Sequence, residues 1–588
     1  MTRLERGSPA HRNTGRHKAV VSSRPTEPAV DGVPTKLAGP PVEMEWLSAQ
    51  ARSPDTRARA GQPKRALVLE LVVAEAGAPA ASSLARDRAP PVALDGEHLA
   101  LADLVRVARE GAPVVLTDAA AARVADACAR LDQLDRSGAR VYGLNTGVGA
   151  LERDRSGAQA GRQESLLRSH AAGVGAPMRD DQVRAMMAAR ASQLAAGRSG
   201  VTPAALAALI DLINRDVVPV VPEAGSVGAS DLAPLAHAAL VLIGEGSARC
   251  AGGAARTGHA ALAAAGLAPV ALAGRDALAL INGLAQTVAI GGLATWDAAH
   301  LVGQAEAVSA LSLCALGAPS DFLDPHLSGE KRHPGQRESS RRARGLIGAA
   351  RPASASAPVL RAPLSVRYAP QVTGAARTAL ELAERVLAAE LDAAVDNPYL
   401  DPDGFVTSNS PLTCGQELAQ AFDLLASALT SVAVASERRV AALLDERIGG
   451  LPAFLRHPRS RPGIDSGLMI AQYTAAALVA EMRARGGAAA VQSIPTCAGV
   501  EDHVSMCSIA ARHAAWVVER AETVVAIELL CAAQAAALAG RPLPGALAPL
   551  VQALRARVPV QIEDRMLAGD IAAALAVLRE PRPPGMPA

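Results

Sequence analysis

The chain has 588 residues, half of them hydrophobic but only 2% aromatic, with a net charge of +2. Length allows one large domain or several smaller ones, and a core built from Ala, Leu and Val suits closely packed helices better than a sheet-rich fold. Nothing in the near-balanced charge points to a nucleic-acid binder, and Cys128, Cys250, Cys314, Cys414, Cys497, Cys507 and Cys531 have no short paired spacing, so neither a zinc site nor a disulfide framework is indicated and reduced thiols are expected.

Residues 1–90 hold 14 Lys and Arg against 9 Asp and Glu, and the remainder 45 against 48, so the basic excess sits at the head. This segment mixes Pro, Ser, Arg, Gly and Ala without hydrophobic periodicity, and a disordered basic extension is expected there. A transit peptide and a mis-assigned start are the other readings, the former disfavoured by the acidic residues. The folded body is expected to begin near Val92, with residues 91–300 forming a mixed, loop-rich part and 301–588 a bundle of long helices with further helices at the C-terminus.

Helical patterns then dominate. Leu99 to Arg109, Val183 to Ala196, Pro203 to Asn214, Leu232 to Leu242, Ala375 to Ala394 and Gly415 to Leu444 carry apolar residues at three- and four-residue spacing, mostly over lengths that strands do not reach. Asp231 is placed to cap the helix that follows it, with Pro234 tolerable in its first turn. Asp396-Asn397-Pro398 is expected to stop another helix. The apolar segments Gly467–Met482 and Ala521–Leu538 carry Gln472, Glu481, Glu522 and Glu528, so they read as buried bundle helices, not membrane spans. A mainly α protein acting in the cytoplasm, without a membrane, is expected.

The stretch Gly225 to His237 reads Gly-Ser-Val-Gly-Ala-Ser-Asp-Leu-Ala-Pro-Leu-Ala-His. Ahead of it stand Val141-Tyr142-Gly143-Leu144-Asn145-Thr146-Gly147-Val148-Gly149 and Leu166-Leu167-Arg168-Ser169-His170-Ala171. After it come Leu280-Ile281-Asn282-Gly283, Ser365-Val366-Arg367 with Pro370-Gln371-Val372, Asp396-Asn397-Pro398, Ser436-Glu437-Arg438-Arg439 and Glu501-Asp502-His503-Val504-Ser505-Met506. This ordered series resembles the aromatic amino acid ammonia-lyase family, nearest its histidine branch, from residue 92 to about 575.

The resemblance implies a mainly helical fold of the fumarase/aspartase-like superfamily with a long central helical bundle. It also implies a 4-methylidene-imidazol-5-one made autocatalytically from the backbone of Ala229, Ser230 and Asp231. Removal of ammonia needs a weakly acidic β-proton taken while a poor leaving group departs, so an electrophile and a positioned base both lower the barrier. By resemblance the base is Tyr142, whose pKa a positive or hydrogen-bonding surround must depress. Arg367 grips the substrate carboxylate with a planar fork. Asn282 stands near the amine and cofactor, and His170 and Glu501 meet the imidazole of histidine, the product being urocanate. His170 read alone is equally a satisfied helix residue. Glu501 and His503 do not have the spacing of a metal pair on one helix face, and no metal is expected. The resemblance further implies a homotetramer whose sites combine residues from three subunits.

Some positions depart from the family pattern. Its Ala-Ser-Gly-Asp is here Ala229-Ser230-Asp231, one glycine short, although glycine reaches the compressed backbone of cyclisation at least cost and Asp231 does retain an amide hydrogen. Leu364 and Arg361 stand in place of a tyrosine and a glutamine, Pro411-Leu412-Thr413-Cys414-Gly415-Gln416 in place of Gly-Asn-Phe-His-Gly-Gln, and Gly499-Val500 in place of a polar pair. Two functions are compatible with this set: a lyase acting on histidine, or a lyase or aminomutase for another aromatic amino acid; and a silent homologue retaining the scaffold and ligand binding through Arg367 and Asn282.

Overall fold

The N-terminal part is a set of helices, some amphipathic and some buried nearly all round, tied together by short strands. The computed structural model describes residues 90–155, 161–348 and 361–580, so the basic extension expected at the head lies outside the described residues. Ordered strand structure begins at Val92, where β1 (Val92–Leu94) pairs in parallel with β2 (Val114–Leu116). The pattern of Leu99 to Arg109 becomes one helical turn, Leu101–Val105, then a wider π-turn over Arg106–Glu110 that ends at Gly111 with φ 70°. Helix α1 (Asp118–Arg136) opens on Thr117, whose side chain accepts from Ala120 N, and buries Ala120, Val124, Ala127 and Leu131 along one stripe.

There follow α2 (Arg162–His170), β3 (Val174–Pro177), α3 (Asp180–Ala195), α4 (Pro203–Asn214), β4 (Val217–Pro219), β5 (Pro222–Ala224), α5 (Leu232–Leu242), β6 (Ser247–Cys250), β7 (Arg256–Thr257) and α6 (Asp276–Ile281). The strands make two small antiparallel sheets, β3–β5 and β4–β6–β7. Pro222 and Glu223 in β5 lead directly into the loop 225–231 that enters α5.

The bundle begins at α7 (Ala285–Leu316), whose residues are buried almost throughout. Residue 300, at which the sequence was divided, falls inside this unbroken helix. It continues through α8 (Pro334–Ile347), α9 (Leu364–Arg367), α10 (Ala369–Leu391), the hairpin of β8 (Tyr399–Leu400) and β9 (Val406–Thr407), α11 (Gln416–Leu444), α12 (Met469–Ala484), α13 (Cys507–Ala539) and α14 (Leu567–Arg579). Helices α7, α11 and α13 pack along one another, and small residues let them approach closely. A Cβ on Gly291 would lie 2.0 Å from Phe422 Cζ, so the ring of the fully buried Phe422 on α11 occupies the space that glycine leaves on α7.

Arg439 on α11 forks onto Glu528 on α13 at 2.6 and 2.7 Å, with Ser312 of α7 and Ser436 completing the carboxylate's partners. Helix α10 starts six residues ahead of its expected start, Pro370 being accommodated in its first turn, and ends at Leu391, ahead of Asp396. The helices Asp276–Leu316, Gln416–Leu444 and Cys507–Ala539 are long and apolar enough to cross a membrane; their apolar windows are 100%, 50% and 83% buried inside the fold.

Candidate active site

The loop ahead of α5 is held from three directions. Gly228 has φ 82°, and a Cβ there would meet Ser505 Oγ at 2.3 Å and Cys507 N at 2.8 Å, so only glycine lets the loop lie against the entry to α13. Ser505 Oγ donates to Gly228 O at 2.7 Å and Met506 N to Val227 O at 2.8 Å. Ala229 bridges Cys414, and Ser230 N donates to Thr413 O at 3.1 Å.

Ser230 itself has φ 64°, a left-handed conformation that costs an L-residue about 1–2 kcal/mol and folds the triad Ala229-Ser230-Asp231 back on itself. Its hydroxyl donates to Asn282 Oδ1 at 2.6 Å, and Asp231 N donates to Gly283 O at 2.7 Å. Asn282, immediately after α6, and Ser230 are therefore brought into direct contact.

Asp231 occupies the N-cap position of α5, yet its carboxylate does not cap that helix. It turns instead to Thr287 in the first turn of α7, accepting from Thr287 N at 2.8 Å and Thr287 Oγ1 at 3.2 Å, and from Ser226 Oγ at 2.5 Å. The reason is competition between two helix N-termini: the orphan amides of the longer, buried α7 take the charge. Full burial with no facing cation raises its carboxyl from 3.8 to about 6, against the lowering effect of those donors. Glu390 on α10 feels the same burial together with the charges of Asp231 and Glu417 and rises to about 7, its Oε1 lacking a hydrogen-bond partner. The thiol of Cys507 beside Thr287 is pushed up to about 12 by burial.

This loop fits the cofactor that the resemblance implies. The triad is turned back on itself, Asp231 keeps its amide, and the side chain that the missing glycine brings to the third place is drawn to Ser226 and Thr287.

Tyr142 lies half-buried in the loop 141–149. Arg162, the first residue of α2, fixes that loop by donating to the carbonyls of Gly143, Leu144 and Thr146. The Tyr142 hydroxyl accepts from Gly149 N at 2.7 Å. Burial nonetheless raises its pKa, helped by the nearby Cys497, Glu501 and Glu152, so among the described residues the depressing surround expected from the sequence is limited to one amide, that of Gly149. Glu501 joins the same corner. Thr496 Oγ1 donates to its carboxylate at 2.7 Å, and Cys497 Sγ meets Ala150 N at 3.2 Å, tying the Glu501 loop to the Tyr142 loop.

Two expected residues are not joined to this cluster by any hydrogen bond among the described residues. His170, the last residue of α2, turns its Nδ1 onto Leu166 O at 2.9 Å and Ser169 Oγ at 3.1 Å. Arg367 lies on α9 with its guanidinium 5.3 Å from the Tyr368 ring, and its Nε is buried without a partner. Leu364 of that short helix and Tyr368 just after it line a groove of about 830 Å³ with Asp423, Arg438 and His513, and none of Tyr142, Ser230, Asn282 and Glu501 lines it. Among the described residues, no cluster of His, Cys, Asp and Glu could hold a metal ion.

Sequence reasoning missed Thr287 and Thr496, which hold the two carboxylates, and misread Asp396. Instead of stopping a helix, Asp396 sits buried between Arg190 and Arg275 and accepts from Asn282. Its place in a quoted motif, ahead of a proline and outside any helix, was the available signal.

The profile of the aromatic amino acid lyase family matches residues 99–559. The histidine ammonia-lyase of Symbiobacterium thermophilum is 42% identical over 486 residues, covering 81% of this chain and 94% of that protein. Among solved structures, histidine ammonia-lyase from Trypanosoma cruzi superposes with a TM-score of 0.77 at 35% identity, covering 83% and 93% of the two chains. Tyrosine aminomutase from Streptomyces globisporus gives 0.78 at 33% identity, covering 83% and 96%.

Proposed function

The chain belongs to the aromatic amino acid lyase family, and from that premise we propose that it is a carbon-nitrogen lyase that eliminates ammonia from histidine to give urocanate. The observation that carries this reading is the contact of Ser230 with Asn282 in a turned-back triad, supported by Glu501 held beside Tyr142. Ala229, Ser230 and Asp231 would form the family's methylidene-imidazolone, which would supply an electrophile toward the substrate.

The chain's own residues do the rest. As the phenolate, which forms only once its proton has been passed to solvent, the Tyr142 oxygen takes the β-proton as the Cα–N bond breaks and the carbon-carbon double bond forms, and ammonia leaves with the electron pair of that bond. Asn282 hydrogen-bonds near the amine. Glu501, with one carboxylate oxygen held by Thr496, faces the imidazole with the other, and His170, its Nδ1 occupied by its own helix, offers Nε2 to the same ring. That pairing of a carboxylate with an imidazole favours histidine over phenylalanine.

Arg367 grips the substrate carboxylate from a neighbouring copy, since α9 faces outward with Leu364 and Tyr368 about half exposed. A homotetramer in the cytoplasm, needing neither nucleic acid nor membrane, completes the proposal. The division into an N-terminal part that carries the Tyr142 and triad loops and a C-terminal long-helix bundle is retained as a functional one.

The second reading, a silent homologue, draws on the Asp231 side chain at the triad's third place and on Leu364. Intact mass spectrometry of the purified chain decides between them. Loss of two waters and release of urocanate from histidine are expected. An unmodified mass with no urocanate establishes the silent homologue, and a modified chain that converts tyrosine or phenylalanine but not histidine moves the substrate class.

A further inference from the structure

We propose that Asp396 is a positioning residue that sets which end of the Asn282 carboxamide meets Ser230, an inference that rests on the reading of Ser230 and Asn282 as part of the active centre. Asp396 is 1% exposed and lies between two guanidinium groups, themselves 1% and 0% exposed. Arg190 Nη2 donates to its Oδ2 at 3.0 Å and Arg275 Nη2 to its Oδ1 at 2.8 Å. That same Oδ1 accepts from Asn397 N at 2.7 Å and from Asn282 Nδ2 at 3.2 Å.

The second hydrogen of Asn282 Nδ2 goes to Asn397 O at 2.6 Å. Both partners of Nδ2 only accept, so the amide cannot turn over without setting its oxygen against two acceptors. Asn282 Oδ1 is thereby aimed at Ser230 Oγ, 2.6 Å away, and can only accept from it. In the uncyclised chain the serine hydroxyl is held as a donor, its lone pairs directed elsewhere; it departs as water when the triad cyclises, and the same aim of Oδ1 then faces the group formed at position 230.

The support is stiff because it is desolvated. Removing the carboxylate leaves two buried cations unpaired, which the fold resists strongly. Arg190 also fills the space beside Gly283, where a Cβ would lie 2.4 Å from its Nη1, and Gly283 O takes the Asp231 amide. One ion triad therefore braces two of the residues that touch the triad of Ala229, Ser230 and Asp231, Asn282 and Gly283.

Two double variants separate orientation from charge. Arg190→Gln with Asp396→Asn removes the anion but leaves an oxygen for Asn282 Nδ2; Arg190→Gln with Asp396→Leu removes the acceptor as well. The asparagine chain is expected to keep kcat for ammonia release within about tenfold of the parent, and the leucine chain to lose about 100-fold or more with KM moving less than about threefold. Equal losses in both chains overturn the proposal, because charge alone then matters.

Neutron crystal structures of both variants, which separate the carboxamide nitrogen from its oxygen, read Asn282 directly. A carboxamide turned away from Ser230 in the leucine chain alone is expected, and an unmoved one overturns the proposal whatever the turnover. If the leucine chain does not fold, Asp396→Ala in the same background takes its place with the same readouts. A parent chain without ammonia release, combined with a turned Asn282 in the variant, overturns the lyase reading and leaves the positioning role standing.

Discussion

Tyr142 and Asp231 carry the sharpest consequences at the scale of single residues. Tyr142→Phe is expected to lower kcat by at least about 100-fold, the size of a lost general base. The same change should cost only about 1 kcal/mol of stability, because the hydroxyl has a single partner, Gly149 N; urocanate release and thermal denaturation check the two together. For Asp231 the folded chain holds the proton more tightly than the unfolded one, about 6 against 3.8. Its contribution to stability is therefore complete below 3.8 and is lost as pH rises to about 6, a loss of about 3 kcal/mol. Glu390 acts in the same direction over a window reaching about 7. Asp231→Asn keeps an oxygen for Thr287 N and offers an amide to the hydroxyls of Ser226 and Thr287, so melting scans from pH 4.5 to 7 should show a flatter decline than the parent. A parent whose stability rises across that window contradicts the assignment.

Elements are where the sequence was most legible, and where its limits were local. Helices α4 and α5 begin and end where the apolar spacing placed them, since Pro203 and the Asp231 entry are strong start signals. Helix α7 was not resolved as one element, because its buried residues surround the whole axis and a helix apolar all round has no stripe to read. Gly291 and Gly228 show the same division at element contacts. Gly291→Ala on α7 would drive a methyl into Phe422, and destabilisation by about 2–3 kcal/mol is expected in denaturant titration. Gly228→Ala meets backbone as well as a left-handed φ, so the loop 225–231 should lift from the entry to α13 and the intact mass should stay unmodified. A Gly228→Ala chain that still loses two waters contradicts the packing described for that loop.

For the whole molecule the prediction is association. Half of the apolar window of α11 is uncovered, and Leu364, Tyr368 and Leu424 are exposed beside the groove that α9 lines. Sedimentation at micromolar concentration is expected to give a tetramer, and replacing Leu424 with Glu should lower the assembled state and ammonia release together; a fully active monomer contradicts it. The sequence by itself determined the helical class, the family and the motif residues, because each is written in spacing or residue type within a short window. Only the tertiary structure decided what those residues meet: Asp231 caps α7 and not its own helix, Asp396 accepts from Asn282, and Arg367 lies against Tyr368. Those outcomes are settled by competition among burial, charge and hydrogen-bond partners far apart in the chain, and no local pattern records that competition.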